Sequence, residues 1–272
     1  HKQEVETWQL DDTNFVETTA SEKLLLAISQ QDTNVVTVIG PKGSGKSFLI
    51  KHAAVKIQEV YQYVIIPVDG LKKVIEWFDP GSKQLFVLDI DKACHSPLKL
   101  HHTLKKWQEQ SAALQKRFNE SSLKLMACCS TEIYEHPEFE KISLLHQNKF
   151  DLKADANTFS DKDIETIATK YMKKEDVVAL TTSDMKEDLK KLHNFPMLCR
   201  EFSEEKHENL ASFFVEHLSI ISNATEVKRA NTNVDINMTN SLTINPTQTV
   251  QGMFVNPTFQ GCSLNFNFYN KN

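Results

Sequence analysis

The stretch Gly40-Pro41-Lys42-Gly43-Ser44-Gly45-Lys46-Ser47 follows directly on five β-branched residues, Val35-Val36-Thr37-Val38-Ile39. No other feature constrains the fold as strongly. A strand that is apolar on both faces belongs inside a parallel sheet covered by helices, and G-x-x-x-x-G-K-[ST] between such a strand and a helix is a phosphate-binding loop. Its glycines let successive backbone N–H groups turn inward around phosphates, its lysine reaches the β and γ oxygens, and its hydroxyl holds Mg²⁺. The helix that follows adds the positive end of its dipole. Three of the chain's seven glycines fall within these eight residues, which points to a backbone requirement.

Periodicity extends the pattern on both sides. After a polar lead-in, apolar Leu24, Leu25 and Ile28 behind Thr19 or Ser21 read as a helix. Beyond the loop come a helix at 48–60, a strand at 63–68, a helix at 71–78, an Asp-Pro-Gly-Ser turn and a buried strand at 84–91. A long helix over about 98–118, a strand at 123–129 and a fifth strand at 148–152 complete an α/β core with a parallel sheet. From Ser160, a helix cap followed by Asp163 in the first turn, the pattern turns helical at 160–173, 184–193, 195–203 and 207–221. The chain therefore divides into an N-terminal segment and helix (1–33), a P-loop core (34–155), a helical appendage (156–222) and a tail (223–272).

The chemistry expected at the loop needs a second part. Leu85-Phe86-Val87-Leu88 drives a strand into the core and Asp89 ends it, where a carboxylate can hold Mg²⁺ through water beside Ser47. Hydrolysis further requires a group to orient or deprotonate water. Ile90 follows Asp89, so Asp91 is the local acid available; it shares a face with Asp89 if the strand runs that far, and is otherwise a solvated loop acid. Ser130 and Thr131 end the next strand, either as a γ-phosphate contact or as a plain strand cap. His95, His101 and His102 have no metal-ligand spacing and read as surface helix residues.

Composition narrows the class. The formal charge is −5, with 31 basic residues among 36 acidic ones, which argues against sequence-independent attraction to nucleic acid. Only Arg117, Arg200 and Arg229 are arginines, few for a small-molecule kinase that clamps a transferring phosphoryl group. Five cysteines without a C-x-x-C pair fit reduced thiols, and no apolar run is long enough to span a membrane, so a cytoplasmic protein is expected. After residue 222 the last fifty residues hold eleven asparagines and five charged side chains. Such a segment makes side-chain ladders between copies or stays without a core of its own. Val250-Gln251-Gly252 partly matches a homotypic interaction motif, so residues 230–272 are a candidate surface for a second copy or a signalling partner.

The order of Asn14-Phe15-Val16-Glu17-Thr18, the loop, Lys83-Gln84-Leu85-Phe86-Val87-Leu88-Asp89, the strand ending Cys128-Cys129-Ser130 and the segment Asn194-Phe195-Pro196-Met197-Leu198-Cys199 resembles the novel STAND P-loop NTPases expanded in molluscs and other invertebrates. The likeness covers roughly 8–222. It implies an ATP-dependent signalling switch of innate-immune type, with ATP or ADP and Mg²⁺ bound and a helical lid that closes on the nucleotide. It also implies that Phe15, Val16 and Thr18 border the base, that the loop from Gly40 to Phe48 carries the phosphates, and that Pro196 packs on the nucleotide. Two departures from the family pattern bear on turnover: Ile90 stands where a second acid is usual, and Cys128-Cys129-Ser130 replaces a segment with a charged sensor. Binding is better supported than hydrolysis, which leaves a weak ATPase and a hydrolysis-deficient scaffold both open, and loss of a general base alone costs about 10² to 10⁴ in rate.

Overall fold

A computed structural model describes residues 1–94, 97–120, 123–204 and 209–218. These belong to one compact unit, His1–Ile221; His95 and the tail motif at Val250-Gln251-Gly252 lie outside the described residues.

Two helices, α1 (Lys2–Asp12) and α2 (Thr19–Ser29), precede strand β1 (Val35–Gly40), and α3 (Lys46–Tyr61) leaves the loop. The chain continues through β2 (Val64–Val68), α4 (Leu71–Glu76), β3 (Gln84–Asp89), the single turn α5 (Ile90–Ala93) and the long α6 (Pro97–Glu120). Strand β4 (Leu123–Ser130), two short helices α7 (Thr131–Tyr134) and α8 (Pro137–Glu140), and β5 (Lys149–Asp151) close the core. All strand pairs are parallel, in the order β2-β3-β4-β1-β5. Consequently β4 lies between the strand that feeds the loop and the strand that ends in Asp89.

Alternation along the strands makes two apolar layers. Val36 and Val38, Leu85 and Val87, and Met126 and Cys128 pack with α1, α2 and α3 on one face. Val35 and Ile39, Phe86 and Leu88, and Leu125, Ala127 and Cys129 pack with α4 and α6 on the other. Every residue of β1 and β4 is buried, as a strand covered on both sides requires. The face assignment positions the site: Asp89 continues the row of Leu85 and Val87 and emerges on the α3 side.

After the last strand, α9 (Asp161–Tyr171), α10 (Lys174–Thr181), α11 (Lys186–Leu189) and α12 (Phe195–Glu204) gather a third apolar cluster, which the helical residues 210–218 join through Phe213 and Phe214. Ile164, Ile167 and Ala168 on α9 and Phe195, Leu198, Cys199 and Phe202 on α12 recur at helical spacing and are all buried. Two expectations change here. The polar lead-in is helix α1, held by Val5 and Trp8, and α10 is a further helix in the stretch 174–183, which the sequence pattern leaves unassigned between two helices. No described helix is long and apolar enough to cross a membrane.

Candidate nucleotide-binding site

The loop is built by backbone geometry. Gly43 and Gly45 have φ of +83° and +78°, the left-handed region that L side chains rarely adopt, and a Cβ at either would meet nothing within 4 Å. Their requirement is therefore torsional. Gly40 is a case of close approach: a Cβ there would lie 3.0 Å from Ser44 Oγ and 3.2 Å from Leu152 Cβ. Among the described residues no acceptor takes the amides of Gly43, Gly45, Lys46 or Ser47, so they are presented around the loop. Lys42 is exposed, Pro41 half-buried and Ser44 buried.

The loop's Ser47 and Lys46 side chains each meet a carboxylate, one from the end of β3 and one from the turn after it. Ser47 Oγ donates to Asp89 Oδ2 at 2.6 Å. Lys46, with a side chain 5% exposed, donates to the Pro41 carbonyl at 2.8 Å and sits 3.4 Å from Asp91 Oδ2. Asp91 is not on the strand. The strand stops at Asp89, which caps the next turn by accepting from the Lys92 N–H at 3.3 Å. That turn carries Asp91 back toward β4, where its Oδ1 accepts from the Ser130 N–H at 2.9 Å. Ser130 itself is paired in register with Gly40, so loop, β4 tip and Asp91 form one neighbourhood.

The same neighbourhood offers no thiol nucleophile. Burial, reinforced by Asp89 and Asp91, holds the Cys128 thiol well above its ordinary range despite Lys46 and Ser47 nearby. Burial also pushes Cys129 far up and Cys94 up to about 11. The arrangement is suited to binding. The hydroxyls of Ser44 and Thr131 are buried without a partner among the described residues, two further polar atoms at the loop end of the sheet.

The residues fit a nucleoside polyphosphate with a divalent cation: presented amides, a lysine and a helix start for phosphates, and a hydroxyl and carboxylate in contact for the oxygen-ligand sphere of Mg²⁺. Ser47 and Asp89 would hold the ion. Phe48 is 59% exposed, in the first turn of α3, with the Lys51 ammonium 5.7 Å over its ring. Burial, then Lys92, lowers the pKa of Lys51.

The strap between α1 and α2 joins the two halves. Phe15 packs on the α3-side layer and Val16 on the helical cluster. Phe15 stacks on His52 with centroids 3.9 Å apart, and His52 Nδ1 is 2.7 Å from Asp12. Thr18 caps α2 in a box with Ser21, and Ser160 caps α9 in a box with Asp163. Asp163 also accepts from the Thr19 N–H at 2.9 Å and the Thr19 hydroxyl at 2.8 Å, so the two capped helix starts interlock. Pro196 is half-buried in the first turn of α12; among the described residues no hydrogen bond links it to the loop. Sequence reasoning missed Asp12, His52, and the second role of Asp163, which its capping signal alone does not announce. It missed His193 as well, whose imidazole is held below its ordinary pKa by burial, then by Lys153, with Asp151 opposing.

Two clefts flank these residues. One of about 290 Å³ is lined by Trp8, Ser47, Lys51, Asp89 and Lys92 among others. The other, about 510 Å³, lies between Phe15, Val16 and Thr19 and the α9 residues Lys162, Asp163 and Lys170. The loop glycines line neither.

Residues 15–192 match the family model described as Novel STAND NTPase 3. The chain belongs to this family. The match takes in the strap, the loop, the Asp89 strand and the helices up to Leu192, so this novel STAND NTPase is a P-loop NTPase with a nucleotide-binding core. Among solved structures it is similar to the Aeropyrum pernix ORC1 protein in complex with DNA, at 11% identity and a TM-score of 0.41, over 74% of this chain and 66% of that one. It is similar to the C. elegans PCH-2 structure at 11% and 0.39, over 75% and 67%. For the Aeropyrum pernix ORC2 protein in ADPNP–ADP complexes the values are 11% and 0.42, over 72% and 65%. The STAND NTPase chain thus spans about two-thirds of the length of each. No curated protein matches it.

Proposed function

We propose that this novel STAND NTPase is a cytoplasmic ATP- and ADP-binding switch of innate-immune type, in which a helical lid over 156–222 closes on nucleotide held by a core over 34–155. The observation that carries the reading is the pairing of both active loop side chains with acids at and just after the end of β3, Ser47 with Asp89 and Lys46 with Asp91. Lys46 neutralises the β and γ oxygens, residues from Gly40 to Phe48 cradle the phosphates, and Ser47 with Asp89 holds Mg²⁺. Phe15 and Val16 border the base, where the sheet and the helical cluster meet, and Pro196 approaches from the lid. Residues 230–272, outside the described fold, are the part of the chain offered to a partner or a second copy.

Calorimetric titration with ATP and Mg²⁺, beside the Lys46→Ala variant, tests the assignment. Wild-type binding that Lys46→Ala reduces supports it, and a Lys46→Ala chain with undiminished affinity removes it. A second reading, a scaffold that binds nucleotide without turning it over, is favoured by the engagement of both Asp91 oxygens, since oxygens already taken by Lys46 and by the Ser130 amide are not free to orient a water. Single-turnover hydrolysis separates the two readings.

A further inference from the structure

We propose that Asp91 stands in for the terminal phosphate of a nucleoside triphosphate, and so makes the site prefer diphosphate over triphosphate. The proposal rests on the nucleotide-binding reading above and adds a specificity-determining residue to it.

Three observations converge. First, Lys46 is almost fully buried, and its described partners are the Pro41 carbonyl and Asp91. Among the described residues, Asp91 is the carboxylate within ion-pair distance of this lysine, at 3.4 Å. Second, the other Asp91 oxygen takes the Ser130 N–H at 2.9 Å. One carboxylate thus spans a cation and an amide donor, the two kinds of group that receive a transferring phosphate's outer oxygens. Third, adjacent strands bring these donors together: Ser130 ends β4, and the loop that leads to Lys46, the first residue of α3, begins at the end of β1. Gly40 and Ser130 are register partners, and the loop between Gly40 and Lys46 curls back over that end of the sheet.

Competition follows from charge. The loop lysine reaches the β and γ oxygens, and a carboxylate already seated on that lysine and on the neighbouring amide occupies the outer part of the same place. Two anions forced together at one cation repel. A diphosphate uses the loop amides and the lysine while leaving Asp91 on Ser130. A triphosphate requires Asp91 to leave both. Its release is local, because Asp91 sits on a turn of four residues anchored by buried Ile90 and by the Cys94 N–H donating to the Ile90 carbonyl at 3.0 Å. The position of the α5 turn then reports which nucleotide is bound.

The test is calorimetric titration of the full chain with Mg²⁺ and either ADP or a non-hydrolysable ATP analogue, for wild type and for Asp91→Asn. The asparagine keeps an oxygen for the Ser130 amide and removes the charge. The expected result is a gain of about tenfold in affinity for the analogue and a clearly smaller change for ADP. Should Asp91→Asn fail to fold, as judged by its circular dichroism, Asp91→Ala is expected to give the same ordering. A variant that binds the analogue no more tightly than wild type, while wild type binds both nucleotides, overturns the proposal and leaves the binding reading standing. A wild-type chain that binds neither nucleotide overturns both.

Discussion

The Ser47 hydroxyl donates to Asp89 at 2.6 Å, joining the last residue of the loop to the last residue of β3 across 42 positions of sequence. The contact exists because β3 runs apolar to its end and then presents a carboxylate on the α3 face. Hydroxyl and carboxylate are both hard oxygen ligands suited to Mg²⁺. Asp89→Asn is therefore expected to weaken nucleotide binding about 10- to 100-fold in the presence of Mg²⁺, the range seen when an outer partner of a metal is lost. With a chelator present the variant and wild type should bind alike. Equal losses in both conditions would assign Asp89 to the fold instead of the metal.

Asp163 is 5% exposed and accepts from the amide and hydroxyl of both Thr19 and Ser160. Replacing it by alanine strands four buried or half-buried donors, and hydrogen bonds to a charged group contribute about 1.5–3 kcal/mol each. Asp163→Ala should destabilise the chain by about 3 kcal/mol or more in urea unfolding. Thr19→Ala alone should cost about 1 kcal/mol. The two should fall short of additivity in the double variant, because they remove one shared contact; strictly additive losses would mean the helix starts are not interlocked.

His193 is held neutral by burial and by Lys153. Its folded pKa is depressed, so its contribution to stability is present above the ordinary value of about 6.5 and is lost as pH falls below it. As pH falls from about 6.5 through the depressed folded value, the unfolded chain binds the proton more readily than the folded one. A His193→Gln variant should lose less thermal stability than wild type over that interval, measured as the difference between their melting temperatures at each pH. Parallel curves would contradict this.

Gly45 needs its positive φ and has room for a methyl group, whereas Gly40 lacks the room. Gly45→Ala should cost about 1–2 kcal/mol of backbone strain and reduce nucleotide affinity by turning the loop amides. Gly40→Ala must displace Leu152 or Ser44, so its crystal structure should show a shifted β5 end, while that of Gly45→Ala should show change confined to the loop.

Much of this was legible beforehand because strong local signals agree with the tertiary result. An apolar β-branched run, a glycine loop and a second apolar run ending in acid dictate strands buried on both faces and a site at their carboxyl ends. Where local signals are weak, sequence misleads. Helix α1 has only Val5 and Trp8 to bury and no side-chain cap, so its periodicity is close to silent. Reading Asp91 as the next residue on the Asp89 face assumed that β3 continues. Asp89 instead turns its side chain to the Lys92 amide and starts a helix, and Asp91 arrives beside Lys46 by a route that period-two reasoning does not contain. The stacking of Phe15 on His52 and the reach of Asp163 to Thr19 depend on packing between segments 37 and 144 residues apart, which no window of sequence displays.

The sheet order has a consequence for the ribosome. Strand β1 carries the loop, yet its neighbours on both sides, β4 and β5, are made after it. At about 5–20 residues per second the interval before β4 emerges is on the order of ten seconds. Throughout it the loop hangs from a strand with no partner. A nascent chain of this protein therefore cannot grip nucleotide until its sheet is nearly complete, and the loop, though made early, becomes competent late.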